Sequence, residues 1–162
     1  MPAFTIEGAD ALRARLDAYP AEFAAALAAK ARELADALAY KVKYEKLAGE
    51  VLNARSGALA ASIAADVSGG ADGVVANVGS FGDVKYAAIQ ECGGKTGAHE
   101  ILPDKAAALA FLAGGAMRFA RKVEHPGSVI PERSYLRSSL DEMSAEIVAQ
   151  LAAATSKSWE AT

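Results

Sequence analysis

One cysteine, two histidines and one tryptophan among 162 residues leave little room for the chemistries that depend on them. With Cys92 alone no intramolecular disulfide can form, and a reducing compartment during synthesis is the expectation. Zinc sites gather ligands in closely spaced pairs, and Cys92, His99, Glu91 and His125 offer none. No stretch comes near the roughly 18 consecutive apolar residues of a membrane span. The start, Met1-Pro-Ala-Phe-Thr-Ile-Glu, has neither the charged beginning nor the apolar run of a secretion signal. A soluble, unexported chain that does not engage membrane is therefore expected. There is no basic excess either: 17 Lys and Arg stand against 20 Asp and Glu, a formal charge of −3. That disfavours a free-standing nucleic-acid binder, though not a protein through whose channel DNA passes.

What the chain does have is alanine, concentrated in residues 21–39 and 145–154. Alanine favours helix but buries little area, so helices built from it need larger anchors. Leu12, Leu16, Tyr19, Phe23, Leu27, Leu34 and Leu38 supply a stripe at steps of three, four and seven, which predicts helix over residues 9–48. Pro20 predicts a bend after a short first helix, and Gly49 a stop. The alternating charges of the polar face would suit a coiled coil, but the heptads are too few and too alanine-rich. A helix packed on its own sheet is the expectation.

After Asn53-Ala-Arg-Ser-Gly the pattern changes. Ser56 is placed to cap a short turn through residues 58–63. Residues 63–68 and 74–78 alternate in character around Gly69-Gly-Ala-Asp-Gly, a hairpin signature. Residues 86–91 fit either a short helix or a strand, and Gly93-Gly-Lys-Thr-Gly reads as a loop. A second hairpin is predicted from residues 107–112 and 117–123 around Ala113-Gly-Gly. His125-Pro-Gly-Ser-Val-Ile-Pro cannot be helical, because each proline drives its predecessor to extended backbone. Leu136, Leu140, Met143, Ile147 and Leu151 mark a final helix over 133–154, with 155–162 as a frayed tail. The sum is a single α+β domain over 1–162: a long N-terminal and a C-terminal helix packed on a small, mostly antiparallel sheet of two hairpins spanning 54–132.

Candidate chemistry is thin. Gly93-Gly-Lys-Thr-Gly lacks the spacing and the following helix of a phosphate-binding loop. A Cys92 thiolate activated by His99 or His125 is conceivable, but no local context marks Cys92 as a nucleophile. Ser56 and Ser62 lack a nucleophile elbow. Neither a metal nor a cofactor is implied. Arg118, Arg121 and Lys122, followed by Arg133 and Arg137, are opposed only by Glu124 and Glu132. They could face DNA or an acidic partner, or equally guard a solvated hairpin edge against unwanted pairing.

Three segments together carry a resemblance. Asn53-Ala-Arg-Ser-Gly-Ala-Leu-Ala-Ala-Ser-Ile follows the long helix. Then comes Lys85-Tyr-Ala-Ala-Ile-Gln-Glu-Cys-Gly-Gly, and finally His125-Pro-Gly-Ser-Val-Ile-Pro-Glu-Arg-Ser-Tyr-Leu-Arg-Ser-Ser-Leu. In that order they resemble the lambdoid phage tail-component family of tail-completion, minor tail and head–tail joining proteins. The matched positions are Arg55, Gly57, Leu59, Tyr86, Glu91, Gly93, Pro126, Gly127, Pro131, Arg133 and Leu136. Cys92 departs from the pattern, standing where the family more often has an aromatic residue. The resemblance implies a non-enzymatic virion subunit, made in the host cytoplasm. It implies assembly as a homo-oligomer, a hexameric ring at the neck, against neighbouring neck and tail-tube proteins. Contact with tape-measure protein and with transiting DNA, without sequence specificity, comes with that reading. A morphogenesis factor of a Mu-like phage, or a component of a phage-derived particle such as a gene transfer agent, shares parts of the pattern. A small Cys/His enzyme is the remote alternative. Arg55 and Glu91 are expected as ion-pair members or contacts between neighbours, and Tyr86 as a core residue.

Overall fold

The computed structural model describes residues 9–53, 55–70, 73–104 and 106–161, which form two compact units. One comprises the described residues up to Ala87 together with those from Ser134 onward; the other is Ala88–Arg133. The α+β class holds, with four helices and eight strands in all among the described residues.

In the first unit, α1 (Ala9–Lys41) is continuous and passes into a π-helical turn, Val42–Lys46. Pro20 does not divide a short helix from a long one as expected: it lies inside the single helix α1 at an exposed position. Proline removes one i→i−4 bond, and at such a position water can satisfy the freed carbonyl. Of the predicted stripe, Phe23 and Leu27 are half-buried and Leu34 and Leu38 buried. The side chains of Leu12, Leu16 and Tyr19 lie outside the described residues. The helix ends before Gly49: Leu47 N–H donates to Val42 O at 3.0 Å, five residues back, and the chain turns through Gly49 at φ 132°.

The short helix α2 (Ala58–Ser62) leads directly into a hairpin of β1 (Ile63–Gly70) and β2 (Gly73–Ser80). Gly57, left-handed at φ 74°, stands at the N-cap in place of the expected Ser56, whose Oγ accepts from Ala58 N–H at 3.4 Å. Register runs from Ile63 opposite Ser80 to Gly70 opposite Gly73; the two turn residues between lie outside the described residues. Ile63, Ala65 and Val67 point inward against α1, while Ala64, Asp66 and Ser68 are exposed, the period-two signature of a one-faced sheet.

The last helix, α4 (Leu136–Ala161), packs along α1 and continues past Ala154, where a frayed tail was expected. Its inner face is the predicted one except at a single step, where Ser139 takes the place expected for Leu140. Leu136, Met143 and Ile147 are half-buried, but Leu140 is 47% exposed and Ser139 is fully buried. Ser139 Oγ–H donates to Tyr135 O at 2.7 Å, one turn back, which satisfies the hydroxyl without a partner from another element. The core joins Leu38, Ala39, Val42, Leu47, Leu59, Ile63, Ala87 and Tyr135.

The second unit begins within α3 (Ala87–Cys92), the helical alternative for residues 86–91. Here β3 (Gly94–Lys95) pairs with β8 (Val129–Ile130), and β4 (His99–Ile101) with β7 (Val123–His125). The segment β5 (Leu109–Ala113) turns back as β6 (Ala116–Ala120) through Gly114 and Gly115 at φ 61° and 78°, the left-handed pair of a type I′ hairpin turn. Each of the four ladders is an antiparallel pair of its own, so the hairpins do not merge into a single sheet. Among the described residues of 88–133 the apolar side chains are at best half-buried, Ile89, Ile101, Leu109, Val123 and Ile130 among them, and the most buried residue is Glu91, 9% exposed.

Candidate functional site

The matched positions divide between the units. In the first, Leu59 is a core residue, Leu136 packs beside the core, Gly57 caps α2 and Arg55 is exposed. Tyr86, expected inside, is 45% exposed; its neighbour Ala87 takes the core position. The residue that fills the core there is Tyr135, 1% exposed, whose hydroxyl donates to Ala87 O at 3.1 Å. Sequence reading passed over Tyr135 because it sits between Arg133 and Leu136 without apolar periodicity of its own.

In the second unit, Gly93, Pro131 and Arg133 come together where α3 ends. Arg133 N–H donates to Gln90 O at 3.0 Å. Gly93 adopts φ 68°, and a Cβ there would stand 2.7 Å from Glu132 N. Gly127 adopts φ 90°, and its Cβ would fall inside the contact shell of Thr96 O. Both positions require glycine on conformation and on space. Pro126 and Pro131 are exposed, on the two sides of β8. Beside Gly127 the chains exchange bonds: Thr96 N–H to Ser128 O at 2.9 Å, and Ser128 N–H to Thr96 Oγ1 at 2.8 Å.

Of the basic group, Arg118 lies on β6 opposite Phe111, and Arg121 follows the strand, exposed. Lys122 is engaged, its Nζ 2.6 Å from Glu100 and 3.7 Å from Glu124. The other pleat face of this hairpin carries Ala110, Leu112, Met117 and Phe119, with Leu112 73% and Phe119 71% exposed. Cys92 is exposed, and among the described residues no group of three or more His, Cys, Asp or Glu is placed to hold a metal. A shallow groove of ≈ 340 Å³ runs along α1, between Tyr40 and Tyr44 (ring centroids 4.5 Å apart) and Ala64–Ala65 of β1.

Charge is organised at one place in the first unit. Glu142 of α4 receives Lys46 Nζ at 2.6 Å and Lys41 Nζ at 3.0 Å, while Glu50 and Glu45 take the second bond of Lys46 and Lys41 respectively. Hydrogen bonds from Lys46 and then Lys41 hold the Glu142 carboxyl below the usual carboxylate range. Lys41 is pushed up, chiefly by Glu45 and then Glu142, and Lys46 by Glu142 and then Glu50. The cluster clamps α4 to the end of the long helix.

Compared with protein families, with curated proteins and with solved structures, the chain matches none of them.

Proposed function

We propose that the chain is a non-enzymatic structural subunit of a tailed-phage virion, forming a ring at the tail-completion or head–tail region through which DNA passes. The observation that carries this reading is that, among the described residues of the second unit, the apolar side chains are at best half-buried. Residues 88–133 are few enough that a self-sufficient core is hard to build, and their hairpin carries Leu112, Met117 and Phe119 on one face and Leu109, Phe111 and Ala120 beside Arg118 on the other. A two-stranded ladder with open edges and large exposed apolar side chains gains burial when neighbours assemble on it. The order of the three motifs supports the same reading. At Gly57, Gly93 and Gly127 the backbone adopts conformations that glycine alone takes freely.

Negative-stain imaging of the full chain at high concentration tests the proposal, with sixfold rings the expected result. A protein that stays monomeric at every concentration and is absent from particles overturns it. Cys92→Ala leaves assembly unchanged on this reading, whereas loss of a measurable activity in that variant would favour an enzyme.

A further inference from the structure

The second unit is held by a few directed polar contacts, and one of them depends on a single proton. His125 ends β7, and its Nδ1 stands 3.0 Å from the amide nitrogen of Gly127. An amide N–H only donates, so Nδ1 must carry a lone pair and the neutral ring holds its proton on Nε2. His99, directly across the ladder, takes the opposite form. Its Nδ1 lies 3.2 Å from Gly97 O, which only accepts, so there Nδ1 carries the proton. The two rings stack with centroids 5.0 Å apart and planes 25° from parallel.

The charged groups around the pair do not compensate a second positive charge. Glu100 and Glu124 alternate onto the opposite pleat face, where Lys122 occupies both. The adjoining β3–β8 ladder contributes Thr96 and Ser128 to the contact, both uncharged, and its one charged residue is Lys95.

We propose that His125 is a proton-sensitive latch on the turn through Pro126 and Gly127. Protonation at Nδ1 converts the acceptor into a donor facing the Gly127 N–H, so the hydrogen bond is lost. With His99 also protonated, two stacked cations repel. Release does not stop at the turn. Gly127 lies against Thr96 O, and the Thr96–Ser128 bonds continue from it, so the β3–β8 ladder loosens with the latch. Among the described residues of this unit no buried apolar side chain offsets the loss. The inference stands independently of the virion reading.

Nitrogen-15 NMR of the full chain, titrated from about pH 8 to about pH 5, reads the latch directly. At the upper end His125 is expected as the Nε2–H tautomer with the Gly127 amide protected from exchange. As His125 protonates, Gly127, Ser128 and Thr96 shift together, and the protection factor of the Gly127 amide, taken against the intrinsic exchange rate at the same pH, falls by about tenfold. In His125→Asn the carboxamide oxygen accepts the same N–H two residues on and does not titrate, so the turn persists and the response disappears. In His125→Phe the amide is unprotected relative to its intrinsic rate at both ends of the range, and His99→Gln keeps the response. An Nδ1–H tautomer at His125 near pH 8, or Gly127 exchange indifferent to His125 protonation, overturns the proposal. So does a pH response that survives in His125→Asn.

Discussion

The ammonium of Lys46 meets Oε1 of Glu142 at 2.6 Å across 96 positions of chain, and Lys46 is only 3% exposed while Glu142 is half open to solvent. That asymmetry predicts unequal mutants. Glu142→Gln leaves a buried ammonium short of one carboxylate and should lower the melting temperature by a few degrees. Lys46→Met strands no buried charge, because Glu50 and Glu142 remain hydrated, and should fall within about one degree of the parent. Thermal unfolding of the two variants side by side checks the order.

The same cluster sets a pH dependence. Glu142 binds a proton less readily folded than unfolded, so its contribution is complete above the ordinary carboxylate value of 4.5 and fades as pH falls through the lower folded value. Lys41 and Lys46 bind theirs more tightly when folded, so their contribution is complete below the ordinary value of 10.5 and fades as pH rises through the higher folded values. Urea midpoints should therefore form a plateau between these limits. Glu142→Gln should flatten the acid shoulder; an unchanged shoulder would assign it to other carboxylates.

Tyr135→Phe removes the hydroxyl that reaches Ala87 O while keeping the ring, and should cost about 1 kcal/mol. Tyr135→Ala empties a fully buried site and should cost about 3–5 kcal/mol. Chemical denaturation with an unchanged slope would confirm that both act on the folded state.

Three glycines form a graded series. At Gly57, φ is 74° with nothing within 4 Å of a Cβ, so alanine meets only the left-handed penalty of roughly 1–2 kcal/mol. At Gly93 and Gly127 the new carbon also strikes backbone of Glu132 or Thr96, so both should be distinctly worse. Hydrogen exchange resolved by segment should place their damage in 88–133 and that of Gly57→Ala elsewhere.

Leu112→Ser with Phe119→Ser removes two exposed apolar groups from one face of the second hairpin. Monomer stability should stay within about 0.5 kcal/mol of the parent, since neither is buried. Ring formation should be lost if that face is where copies meet. Normal rings in the double variant would move the contact to another surface.

Local features were legible in the sequence. Gly114-Gly115 announced a hairpin because a type I′ turn demands two left-handed residues, and residues 63–68 announced a strand through alternation. Non-local pairing was not: β3, β4, β7 and β8 are two or three residues long and find their partners across 22 to 36 positions, so each reads alone as loop. The phase of α4 was legible at Leu136, Met143, Ile147 and Leu151 and missed at one step. A helix buries the face its neighbours cover, and Ser139 lies there, with its hydroxyl satisfied by its own backbone, while Leu140 does not. Of the candidate positions, Gly93 and Gly127 showed themselves by residue type. Tyr86 misled because an aromatic next to alanines looks like an anchor, yet the core had room there only for Ala87.

The π turn at Val42–Lys46 means that the long helix carries one residue more than α geometry needs. Lys41 and Lys46 are five apart, a separation that on an α-helix leaves them about 140° out of line, yet both reach Glu142 because the wide turn brings them over one another. Deleting one exposed residue of this turn, such as Tyr44, would leave the lysines four apart on an ordinary α-helix, about 40° out of line and still able to share one carboxylate. The same deletion two turns earlier would rotate every later residue by about 100° and dismantle the core. The chain thus has a built-in tolerance for shortening at one place: a single-residue deletion there should pass almost unnoticed by the rest of the unit.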